Sequence, residues 1–98
     1  MSVIKIHRPS EEERKRLDIP ETPQAVGPWE GWECQPSSFE WSYVDWEIAY
    51  VYEGKVLVTT DSGEVEITAG DMVTFPKGLT CTWKILEKIR KVYKFESD

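Results

Sequence analysis

From Phe39 onward the chain is a succession of short stretches in which apolar and polar positions alternate or apolar positions run together. They read "FEWSYV", "IAYVYEG", "KVLVTT", "EVEIT", "DMVTFP", "CTWKIL" and "IRKVYKFE". Each is rich in Val, Ile, Thr, Tyr, Phe or Trp, and "EG", "DSGE", "AGD" and "PKG" punctuate them as turn signals. The alternation Glu64, Val65, Glu66, Ile67 predicts a strand with one wet face, whereas "IAYVYEGKVLVTT" is apolar on both faces and predicts a central strand. An all-β sandwich or antiparallel barrel follows.

The first 28 residues have a different texture. "VIKIH", residues 3 to 7, alternates as a strand with Val3 and either Ile4 or Ile6 inward, and it ends before Pro9. "PSEEERKRLDI" offers Ser10 as N-cap, Glu13 to complete a capping box, and acidic residues where the helix dipole favours them. A helix of about two turns near residues 10 to 17 is predicted, stopping before Pro20. From Pro20 to Pro36 four prolines and two glycines surround Trp29 and Trp32. This stretch reads as an ordered loop with short extended pieces. The chain is expected to form one domain, with the N-terminal strand, helix and loop over 1–28 and the barrel over 29–96.

Composition narrows the partners. The chain has 98 residues, a formal charge of -6, and no basic cluster standing apart from acidic neighbours, so nucleic acid and anionic membranes are poor partners on electrostatic grounds. No apolar run approaches the ~20 residues that span a bilayer, and "MSVIKIHRP" has no signal-type apolar core. A cytoplasmic location is expected. Five Trp, four Tyr and three Phe supply rings to fill a small barrel. Cys34 and Cys81 match no zinc spacing and are expected as thiols, and the single histidine, His7, is expected at the surface or in a dimer contact.

Two linked spacings carry a resemblance. Glu47, six residues, Gly54 ("EIAYVYEG") and Gly70, five residues, Pro76, one residue, Gly78 ("GDMVTFPKG") look like the two motifs of the cupin superfamily. Residues 29 to 95 resemble the small single-domain cupins grouped with the ureidoglycine aminohydrolase cupin domain. The resemblance implies a cupin-type (RmlC-like) antiparallel β-barrel or jelly roll with one short N-terminal helix, commonly paired as a homodimer. For the ureidoglycine aminohydrolases it implies metal-assisted release of ammonia from a small ureido acid. Aligned by spacing, Trp41 and Tyr43 stand at the paired histidine positions of metal-binding cupins, Glu47 keeps the carboxylate, Cys81 replaces the third histidine, and Ile85 stands for the terminal Asn.

Period-two alternation puts Trp41, Tyr43 and Glu47 on one parity and Cys81, Trp83 and Ile85 on another shared face, all expected to point into the barrel. Trp41, Tyr43, Glu47, Cys81 and Trp83 are therefore the expected pocket, with Glu47 and Cys81 as the candidate catalytic pair. Glu47 and Cys81 alone are too few for a tight metal site, so no metal or cofactor is expected. A buried carboxylate is costly unless paired; Glu47 is expected either to serve a ligand as acid, base or hydrogen-bond acceptor, or to close a network with the Tyr43 hydroxyl or an indole N–H. Arg90 and Lys91 read as part of a solvated face, with a role in steering an anionic ligand as the alternative. The expected function is binding of an unidentified small molecule. The alternatives are a ureidoglycine aminohydrolase-like enzyme and a ligand-free interaction protein. A homodimer is expected, because "VIKIH" outside the motif core would leave an unpaired edge on a lone barrel.

Overall fold

The computed structural model describes residues 4–96; Val3, expected to face inward, lies outside them. Among the described residues seven strands and one helix follow in the order β1 (Lys5–His7), α1 (Glu11–Arg16), β2 (Glu30–Cys34), β3 (Ser37–Ser42), β4 (Trp46–Thr60), β5 (Gly63–Thr68), β6 (Met72–Phe75) and β7 (Thr80–Glu96). Every strand pairing is antiparallel. This is the cupin-type all-β architecture the motifs imply.

β4 and β7 form its spine. They pair with each other along nearly their whole length, from Trp46 opposite Glu96 to Thr59 opposite Thr82. The first half of β4 also takes β6, which carries β1 on its far side, while the second half takes β5. Likewise β7 takes β3 along its first half and β2 along its second. Two sheet halves thus share two long bent strands and enclose the core. β1, the described part of that N-terminal strand, is paired within the chain, with Ile6 opposite Val73.

The sequence reading divides each spine strand into two, and the structure corrects this. "EG" is not a turn between strands: Gly54 lies inside β4, in a bulged stretch where the register with β7 shifts three times between Val51 and Val56. Its φ of +105° is a conformation L side chains rarely adopt, and a Cβ there would meet the Ile89 Cα at 2.7 Å and the Lys88 carbonyl oxygen closer still. The motif glycine therefore lets β4 bend against β7.

The apolar run on both faces of β4 is explained by two clusters. Ala49, Val51, Val56 and Val58 face the space between the sheet halves together with Phe75, Trp83 and Ile89. Tyr50 faces the other way, into a second cluster with Ile19, Trp29, Met72 and Val92, against which Tyr52 also packs. The N-terminal segment covers that second face. Arg14 donates to the Tyr50 hydroxyl at 2.9 Å, and the Tyr52 hydroxyl donates to the Pro20 carbonyl. Trp29 is buried outright, which orders the Pro-rich stretch, and part of that stretch becomes β2.

The Ser10 hydroxyl accepts from the Glu13 N–H at 3.1 Å, so the expected N-cap is present. The capping box is not closed by Glu13, whose carboxylate reaches His7 Nε2 at 3.1 Å instead. That contact accounts for the exposed histidine. Both cysteines are free thiols.

Candidate functional site

The candidate site is built on the inner face of β7. Residues of one parity, Cys81, Trp83, Ile85, Ile89 and Lys91, are buried, the alternation of a strand interrupted at the exposed Glu87. The partner strands add their own inward residues in register: Trp41 opposite Cys81, Phe39 opposite Trp83 and Trp32 opposite Lys91. On β4, Glu47 lies between Phe75 and Phe95. Tyr43, just past β3, is held by its backbone: its N–H donates to the Leu79 carbonyl at 2.8 Å and its carbonyl accepts from Gly78 at 2.7 Å. Gly78, at φ +87°, supplies the turn that makes this clamp.

Together these residues surround a cavity of about 130 Å³. Trp32, Phe39, Trp83 and Tyr93 wall it, and Tyr43, Glu47 and Lys91 bring polar atoms to it. Trp41 and Phe95, each 52% exposed, form the part of the lining that meets solvent. The rings are ordered against one another. Phe39 stacks on Trp83 with centroids 6.1 Å apart, and Trp32 meets Trp83 edge-on at 6.0 Å.

The polar centre is a salt bridge. Lys91 Nζ donates to Glu47 Oε2 at 3.0 Å, and the two side chains are only 8% and 6% exposed. The ammonium also lies 4.7 Å from the ring centroid of Trp83, 5.1 Å from Trp32 and 5.5 Å from Tyr93, a cation–π arrangement on several sides. Desolvation pulls the Lys91 pKa below the ordinary lysine value, with the Glu47 carboxylate opposing it. Glu47 therefore closes no network with Tyr43 or an indole, as the sequence reading allowed. Instead Trp83 Nε1 donates to the Tyr43 hydroxyl at 3.2 Å. Burial, reinforced by the nearby Glu47 carboxylate, pushes the Tyr43 phenol far above its usual range, so it stays protonated.

Of the five expected pocket residues, Trp41, Tyr43, Glu47 and Trp83 line the cavity and Cys81 does not. Its short side chain does not reach past the larger Tyr43 and Trp83, and its Sγ lies 3.7 Å from the Trp41 carbonyl. Burial raises its pKa. Cys34, half-buried at the end of β2, is the accessible thiol. A bulky aromatic disulfide reagent is expected to titrate Cys34 quickly and Cys81 only as the protein opens; equal rates in the native protein would show Cys81 to be reachable.

Sequence reasoning missed Lys91, and the signal was present. Counting by twos from Cys81 through Trp83 and Ile85 reaches Ile89 and Lys91, but it also passes through Glu87, which is exposed, so parity makes Lys91 a candidate for the interior without deciding it. Arg90, of the opposite parity, instead pairs with Glu53 and Glu33 at 3.4 and 3.9 Å. The solvated-face reading of Lys91 is thereby corrected.

The metal chemistry that the resemblance implies finds no suitable donors. An indole replaces one ligand, the Tyr43 phenol is held protonated, the Cys81 thiol is likewise pushed toward its neutral form, and Glu47 is already bound to an ammonium. Among the described residues no three His, Cys, Asp or Glu gather as a metal site. The residues present do not fit a bound metal.

The family profile described as the EutQ-like cupin domain matches residues 21–93. The chain belongs to this family. A DUF861 family protein from Thermotoga maritima is 43% identical to this EutQ-like cupin, with a TM-score of 0.86 over 96% of this chain and 100% of its own. The EutQ protein of Clostridium difficile is 24% identical, covering 71% of this chain and 56% of its own with a TM-score of 0.63. A cupin domain from Bordetella pertussis, 17% identical, covers 78% and 91% with a TM-score of 0.54. The last two show the shared fold. No curated protein matches the chain. Among the described residues no helix is long and apolar enough to cross a membrane.

Proposed function

We propose that this EutQ-like cupin binds a small organic molecule in the cavity, without a resident metal. The observation that carries the reading is the Glu47–Lys91 pair: two charges held away from water yet forming part of the lining of an aromatic cavity. A buried ion pair contributes little to stability relative to apolar residues of the same size, so its place at a cavity is better explained by a ligand. Trp32, Phe39, Trp83 and Tyr93 would pack a ring or short hydrocarbon part, while Lys91 and Glu47 would recognise an oxygen or nitrogen function on it. The single ammonium suits a carbonyl or one carboxylate rather than a polyanion. Ureidoglycine-type release of ammonia through a metal is not favoured, because the donors do not suit one.

Thermal denaturation with a panel of small metabolites tests the reading. A ligand at ~100 times its Kd stabilises by about 2.7 kcal/mol, which raises Tm by about 10 °C or more in a domain of this size. Such a shift is expected in the wild type and not in Glu47→Gln/Lys91→Met, which keeps the shape and removes both charges. No shift with any compound, or equal shifts in both proteins, would overturn it.

A further inference from the structure

We propose that Lys91 is a covalent site: its Nζ condenses with the carbonyl carbon of a small aldehyde or ketone bearing an apolar or aromatic group, and Glu47 relays the proton. This names the ligand class of the pocket just described and rests on that reading.

The surroundings of Nζ carry the argument. An ammonium has three N–H donors, yet among the described residues Lys91 makes one hydrogen bond, to Glu47 Oε2. Nζ also lies over the rings of Trp83, Trp32, Tyr93 and Phe75, with the Cys81 thiol near enough to act on it electrostatically. No carbonyl meets the other two donors among the described residues, and the aromatic faces at the cavity keep the amine dry and leave its nitrogen open to a carbon electrophile. Burial also favours the neutral amine, the form in which lysine is a nucleophile. Tyr43 supplies a third group. Its hydroxyl accepts from Trp83, which leaves the phenol proton to polarise a carbonyl oxygen.

The step balances within these side chains. Glu47 takes one proton from the Lys91 ammonium, giving a neutral amine and a carboxylic acid. The amine attacks the carbonyl carbon; the C=O double bond opens, a proton passes from nitrogen to oxygen, and a carbinolamine forms. Glu47 then returns its proton to the departing hydroxyl, which leaves as water. The product is a protonated imine on Lys91 beside the Glu47 carboxylate, with the charge of the pair unchanged. No oxidant, reductant or metal enters. The aromatic walls and the single cation select a compact carbonyl compound with an apolar arm over a phosphorylated sugar.

The native protein is incubated with propanal or benzaldehyde and sodium cyanoborohydride at neutral pH, and the modified lysine is located by peptide mass spectrometry. Most of the reductively trapped adduct is expected on Lys91, with total adduct falling to the level of the exposed lysines in Glu47→Gln/Lys91→Met and the preference for Lys91 over other lysines lost in protein unfolded in guanidinium. Lys91→Arg, which retains a cation for Glu47 but no nucleophilic amine, should also lose it. Label spread evenly over the exposed lysines, or no label on Lys91 under conditions in which the metabolite panel does raise Tm, would overturn the covalent step while leaving noncovalent binding intact. Absence of both adduct and thermal shift would overturn both readings.

Discussion

Gly54→Ala is expected to remove a large part of the folding stability. The residue lies at φ +105° within β4, and an added Cβ would meet the backbone of Lys88 and Ile89 rather than a side chain that could swing aside. Strained backbone alone costs about 1–3 kcal/mol. Pushing β7 away at its contact with β4 adds to that cost, so a loss of roughly 3–5 kcal/mol is expected from a total that for such domains is about 5–15 kcal/mol. Gly78→Ala is the control, because its φ is also positive but nothing stands within 4 Å of the added carbon. It should show the conformational cost without the collision. Urea denaturation of the two variants measures the difference; a Gly54→Ala protein no less stable than Gly78→Ala would show that the strand crossing can relax.

Breaking the Glu47–Lys91 pair from one side should be far more damaging than removing it whole. Lys91→Met leaves a buried carboxylate beside Phe75 and Tyr43, and Glu47→Gln leaves an ammonium with only a neutral amide. Either single change is expected to cost about 3–5 kcal/mol. The double variant should recover to within about 1–2 kcal/mol of the wild type, since two desolvation penalties vanish with the attraction that offset them. The coupling is therefore strongly non-additive. It should also persist in high salt, unlike any coupling between Lys88 and Glu33, which pair at 3.0 Å at a partly exposed site. Additive losses in a double-mutant cycle by urea denaturation would show that the two charges do not depend on each other.

The site was partly legible because parity is a local property. Alternation along "CTWKIL" puts Cys81, Trp83 and Ile85 on one face, and the spacing from Tyr43 to Glu47 marks the same interior from the opposite strand. Trp83, Tyr43 and Glu47 are buried accordingly. The same alternation reaches Lys91, but in "EKIRK" a lysine is most economically read as solvated, since an isolated buried ammonium is prohibitive. What makes it acceptable is a carboxylate 44 positions away in sequence, and no local pattern reports that partner. The bend in β4 has a similar origin. "EG" is a turn signal by composition, and only the passage of β7 beside it converts the turn into a bulge.

Side-chain alternation and backbone preference over a few neighbours are enough to set the strand-rich architecture, the N-cap at Ser10, the two-faced character of β4 and the inward parity of most pocket residues. Long-range packing sets the rest: that β4 and β7 run unbroken, that the N-terminal segment seals the second face of β4, that Cys81 stays out of the cavity, and that Lys91 enters it. Each of these depends on which distant strands meet and in what register. Pairing Glu47 with Lys91 needs the β4–β7 register that sets Glu47 opposite Phe95 and Val51 opposite Lys91, and that register is a property of the closed fold.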